Sequence, residues 1–138
     1  MREGDMALVG FDLKKDPRVI QRAYDDSKGI TAEFNLNLLD RLNRELGADF
    51  DRNYFSHFPT YDPVSGTAKS YLVSRRAQKI HFEKLGEKYS FQAWELVHTE
   101  ISQKFSPVEI QDLTSEAGMV VVNHFQDRKE YYRNVLLM

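Results

Sequence analysis

The stretch LVHTEISQKFSPVEI, residues 96–110, changes its period in the middle. From Leu96 to Ser102 apolar and polar residues alternate, the pattern of a strand with one dry face and one wet face. Ser106, Pro107 and Glu109 then make a dense helix start. Ser106 is the N-cap, Pro107 occupies the first helical position, Glu109 closes a Ser-x-x-Glu capping box, and Phe105 is placed to staple against Ile110. A strand feeding directly into a capped helix makes the chain α/β, and that helix should end at Gly118.

Alternation within the strand predicts Val97, Thr99 and Ile101 on the core face and His98, Glu100 and Ser102 on the other. A row of imidazole, carboxylate and hydroxyl has the chemistry to clasp a small ligand with an N–H donor, because the carboxylate accepts and the hydroxyl donates or accepts. A solvated face is the commoner fate of such a row.

Downstream, MVVVNHF and YYRNVLLM flank QDRKE, and strands this close in sequence pair as an antiparallel hairpin. Upstream, from Phe55 to Ser102, the period is near two and DPVSG separates SHFPTY from TAKSYLVSRR. An antiparallel meander is expected, with strands near 55–61, 67–75, 78–83, 88–92 and 94–103. Arg75, Arg76 and Lys79 read as a solvated hairpin end. Before this region, Phe34, Leu38, Leu39, Leu42 and Leu46 recur at helical spacing from Thr31 to Leu46, with Gly47 as terminator. Asp16 and Pro17 start a shorter helix that runs to about Asp26. Met6 to Phe11 is a nearly continuous apolar run, which suits a strand buried on both faces of a parallel sheet.

The chain has 138 residues, 41% hydrophobic and 29% charged, enough for one core. A net charge of −2 gives no electrostatic case for nucleic acid. No run of apolar residues is long enough to span a membrane and MREGDMALVG has no signal-peptide core, so a soluble, cytoplasmic protein is expected. There is no cysteine, hence no disulfide or thiolate chemistry. His57, His81, His98 and His124 contain no pair at helical ligand spacing, and no metal site is expected. No glycine-rich phosphate or dinucleotide loop is visible.

LVGFDLKKDP (8–17), AYDDSKGITAEFNLNLLDRLNRELGADFD (23–51) and HTEISQKFSPVEI (98–110) together closely resemble the histidine-specific, S-adenosylmethionine-dependent N-alpha-methyltransferases of ergothioneine biosynthesis. The middle segment is the most specific, and the order continues through VSRR to HTEIS. The resemblance covers nearly the whole chain but only the carboxyl-terminal half of that family. It implies the carboxyl-terminal part of a Rossmann-like methyltransferase carrying an inserted α+β substrate-recognition domain. Residues 1–16 would be a strand of the methyltransferase core, 17–104 the inserted substrate-recognition region, and 105–138 the helix and terminal β-hairpin of the core.

The implied reaction of the whole enzyme is methyl transfer to the alpha-amino group of L-histidine. Residue by residue, Tyr24 of AYDD matches the residue that helps hold the substrate carboxylate, and Glu100 and Ser102 match the pair that contacts the imidazole. His98 is not carried over, and no catalytic residue is. S-adenosylmethionine is the implied cofactor, but the family's donor-binding half corresponds to nothing in this chain, so the chain is expected to be inactive by itself. Two alternatives stand beside this reading: a non-catalytic ligand-binding or interaction module, and one half of a split methyltransferase. The expected partners are a histidine-like amino acid and either a second copy of the chain or a separate amino-terminal half, which would cover the apolar edge of Met6 to Phe11.

Overall fold

Ser106 begins a helix as its sequence requires. Its Oγ accepts from the Glu109 backbone N–H at 3.2 Å, while the Glu109 carboxylate accepts from the Ser106 N–H at 2.6 Å. The computed structural model that shows this describes residue 2 and residues 4–138; Met1 and Glu3, at the head of the segment 1–16, lie outside the described residues. In chain order the elements are β1 (Ala7–Asp12), α1 (Pro17–Tyr24), α2 (Ile30–Leu46), β2 (Phe55–Asp62), β3 (Thr67–Ser74), β4 (Gln78–Phe82), β5 (Glu87–Phe91), β6 (Leu96–Gln103), α3 (Pro107–Glu116), β7 (Val121–Gln126) and β8 (Tyr132–Leu137). The chain is therefore mixed α/β. It divides into two compact units, one made of residues 1–17, 62–67 and 102–138, the other of residues 18–61 and 68–101.

The first unit contains a three-stranded sheet in the order β1-β8-β7. β7 and β8 form the expected antiparallel hairpin. β1, expected in a parallel sheet and buried on both faces, instead pairs antiparallel with β8, Val9 opposite Val135. It forms the sheet edge, and Leu8 is 64% exposed. A short apolar run does not encode the direction of its partner, and the chain-local partner available to Ala7–Asp12 is the carboxyl-terminal strand. Phe11, Leu13, Ile110, Val135 and Leu137 make the core, with Phe105 packed against it. Phe11 and Phe105 meet edge to face at 5.2 Å.

The second unit packs α2 on strands ordered β2-β3-β6. Burial in β3 alternates strictly, with Ala68, Ser70, Leu72 and Ser74 buried. The simple meander is not realised: β6 joins β3, and β4 and β5 form a separate antiparallel pair. The apolar stripe of α2 is also displaced. Phe34 is 73% exposed, while Asn35 and Leu39, four residues apart on one face, are buried.

Aromatic rings explain much of this unit's cohesion. Asn43 pins Phe50 reciprocally, its Nδ2 donating to the Phe50 carbonyl at 2.8 Å and its Oδ1 accepting from the Phe50 N–H at 2.9 Å. The Phe50 ring then meets Phe55, Phe82 and Phe91 edge to face. Each such buried ring contributes roughly 1.5–3 kcal/mol. Gly47 ends α2 in the left-handed region with φ 63°, its N–H bonded to the Leu42 carbonyl.

Candidate functional site

In the second unit, β6 does not keep its alternation. Leu96 and His98 are exposed, yet the next exposed residue is Ile101, at 61%. The phase changes between Thr99 and Glu100, so these consecutive residues both reach the α2 side. His98 goes the other way and packs against Tyr71, the rings tilted at 46° with centroids 5.3 Å apart. This corrects two expectations: His98 does not share a face with Glu100, and Ile101 is not core.

The consequence is a polar cluster beneath α2. Thr99 Oγ1 donates to Asn35 Oδ1 at 2.6 Å and lies 3.0 Å from the Ser70 carbonyl. Asn35 Nδ2 donates to the Thr31 carbonyl at 3.1 Å and approaches His57 Nε2 at 3.5 Å. Because that amide nitrogen only donates, the contact is a hydrogen bond in the tautomer whose Nε2 accepts. Burial lowers the His57 pKa, outweighing the fields of Asp25, Glu100 and Asp26, which favour the cation.

Glu100 is half-buried and receives the Ser70 hydroxyl at 3.4 Å, a weak bond that leaves most of its lone pairs available. It borders a cavity of about 410 Å³ together with Phe34, Asn35, Leu38, Arg41 and Thr99. A carboxylate with spare acceptors beside an apolar wall is equipped to take an N–H from a small ring.

Tyr24 is the last residue of α1 and is half-buried. Two positions on, Asp26 caps α2, accepting the Ile30 and Thr31 backbone N–H groups at 2.9 and 2.8 Å. Those bonds hold its carboxyl down to about 2. The second aspartate of AYDD is thus structural, and it fixes where the chain turns after Tyr24.

Ser102 belongs to the first unit. Its Oγ accepts from the Lys104 ammonium at 2.8 Å. Lys104 in turn pairs with Asp12 at 2.8 Å, and Lys15 approaches the same carboxylate at 2.6 Å. Burial opposes ionisation of Asp12, but the two ammonium groups together overcome it and lower its pKa.

Sequence reasoning did not single out Asn35, Ser70 or Lys104, and weighed His57 only as a metal ligand. One signal was readable: Asn35 interrupts the apolar face of a helix, where an unpartnered amide is costly. Among the described residues no cluster of three or more His, Asp or Glu is placed to hold a metal, and no helix is long and apolar enough to cross a membrane.

A family model described as histidine-specific methyltransferase, SAM-dependent, matches residues 1–138. The chain belongs to this family. It is 40% identical over 119 residues to the histidine N-alpha-methyltransferase of Mycolicibacterium smegmatis, covering 86% of this chain and 37% of that protein. It is 37% identical over 127 residues to the histidine N-alpha-methyltransferase of Mycobacterium tuberculosis, covering 92% of this chain and 40% of the relative. Ergothioneine biosynthesis protein 1 of Schizosaccharomyces pombe is 27% identical over 123 residues, with 88% of this chain and 16% of the relative covered. The chain therefore corresponds to a part of these histidine-specific methyltransferases, about two fifths of the length of the mycobacterial ones.

Proposed function

We propose that this chain is the substrate-recognising and sheet-completing portion of an S-adenosylmethionine-dependent methyltransferase that acts on the alpha-amino group of L-histidine. In this reading Tyr24 helps hold the substrate carboxylate, and Glu100 and Ser102 contact the imidazole. Residues 1–16 and 105–138 contribute a strand, helix and hairpin to a Rossmann-like core, and residues 17–104 form the carboxyl-terminal share of the inserted recognition domain. The donor site lies outside the chain, so the chain does not transfer methyl groups by itself. Methyl transfer needs the amine held in line with the sulfonium methyl, and this chain's share is to hold the amino acid.

The observation that carries the reading is the Glu100 carboxylate. It stands beside a cavity and, among the described residues, accepts from the weakly placed Ser70 hydroxyl, and so retains acceptors for a ring N–H. The family match supports reading that ring as the imidazole of histidine. Calorimetric titration of the polypeptide with L-histidine and, separately, with S-adenosylhomocysteine tests both halves. Heat from the first and none from the second is expected. Absence of histidine binding removes the recognition role; binding of S-adenosylhomocysteine removes the claim about the donor site.

A further inference from the structure

Lys104 is 2% exposed, and a buried ammonium is stable only when it is paired and hydrogen-bonded. The pairing is with Asp12, 2.8 Å away. Asp12, however, already has a second ammonium in Lys15, at 2.6 Å. Asp12 therefore has two ammonium groups within 2.8 Å. Neutralising Asp12 does not require Lys104 to reach Ser102, yet it does so at 2.8 Å.

That contact has a defined polarity. An ammonium has three donors and no acceptor, so Ser102 Oγ must accept from it. The serine's own proton then points away from Lys104. Among the described residues no acceptor takes that proton, and Ser102 is only half-buried. A ligand that reaches Ser102 meets an O–H donor.

We propose that Lys104 is a positioning residue: it fixes the Ser102 hydroxyl as a donor and so makes the chain select a ring that offers a nitrogen lone pair, neutral imidazole, over rings of similar shape that offer none. The inference rests on the proposed contact of Ser102 with the imidazole of histidine. Lys15 keeps Asp12 paired when Lys104 is replaced, which makes the replacement a tractable test.

The experiment compares calorimetric affinities for histidine and for thienylalanine, whose five-membered ring has no basic nitrogen, in the wild-type chain, Lys104→Met, Ser102→Ala and the double variant. Lys104→Met should lower histidine affinity about tenfold and leave thienylalanine unchanged, and it should add nothing once Ser102 is alanine. Lys104→Arg, which keeps the charge and the donors, should preserve the preference. If Lys104→Met does not fold, Lys104→Gln replaces it in the cycle, since one amide serves Asp12 and Ser102 less well than an ammonium. Parallel weakening of both ligands, or additive losses, would assign Lys104 a purely structural role and overturn the inference while leaving histidine recognition intact. A wild-type chain that does not bind histidine overturns both.

Discussion

Thr99 and Asn35 lie 64 positions apart in sequence and are joined by a 2.6 Å hydrogen bond that links β6 to the buried face of α2. Asn35 is 4% exposed, so little solvent reaches its amide oxygen when the threonine is lost. Thr99→Val keeps the shape and removes the donor. It should destabilise the chain by about 1–3 kcal/mol, the cost of a buried polar group left unsatisfied. Urea denaturation followed by circular dichroism measures this; an unchanged midpoint would mean that another donor replaces the threonine.

Glu100 differs from its neighbour in what it holds. Its protein partner is the weakly placed Ser70 hydroxyl, so Glu100→Ala should leave the melting temperature near that of the wild type. Histidine affinity should fall by about 1.5–3 kcal/mol, the range for a hydrogen bond to a charged group. Calorimetry alongside a thermal melt separates the two effects, and equal affinity for histidine in wild type and variant would remove Glu100 from the site.

At the start of α3, the Lys14 ammonium, 2.7 Å from Glu109, and the Ser106 backbone N–H hold the Glu109 carboxyl down to about 2 from an ordinary 4.5. A depressed carboxyl pKa stabilises the folded state above 4.5 and loses that contribution as pH falls toward 2. Glu109→Gln should therefore flatten the acid limb of the stability profile across that window and lower stability at neutral pH. Thermal melts from pH 7 to about pH 2 report the slope. Parallel acid limbs for the two proteins would show that other carboxylates carry it.

β1 presents an apolar sheet edge, with Leu8 64% and Val9 36% exposed and no lysine or proline within the strand to blunt it. Association through this edge, with a second copy or with the amino-terminal part of the family's fold, is expected. Light scattering over a concentration series should show the mass rising toward a dimer. Leu8→Lys, which places a charge on the strand, should return it to monomer. A monomeric wild type at high concentration would mean the edge needs no partner.

Much of this was legible in the residues. The Ser106 capping box, Pro107, the α2 terminus at Gly47 and the β7–β8 hairpin follow from local chemistry, and each is found in place. What could not be read depended on distant partners. Thr99 and Asn35 make a polar contact inside a face that periodicity expected to be apolar, and the phase change after Thr99 moves Glu100 onto that face. The direction of β1 is set by β8, at the other end of the chain. The Lys104 network likewise joins β1 to the end of β6, and an isolated lysine in QKF gives no sign of burial.

In the first unit, the chain leaving β1 and the chain returning after β6 are tied together. The Phe105 N–H donates to the Asp12 carbonyl at 3.0 Å, and the Lys14 N–H donates to the Phe105 carbonyl at 2.9 Å. A segment whose two ends are clasped side by side is a graft point. Whatever is spliced between them leaves the sheet's register unchanged, and its closure cost grows only with the logarithm of its length. One tether limits this freedom: the Lys104 N–H reaches the Gly66 carbonyl at 2.8 Å, and a side chain at Gly66, with φ 76°, would have its Cβ 2.6 Å from the Lys104 carbonyl oxygen. Changes within residues 18–61 and 68–101 therefore disturb this clasp less than a side chain at the glycine of the hairpin tip would.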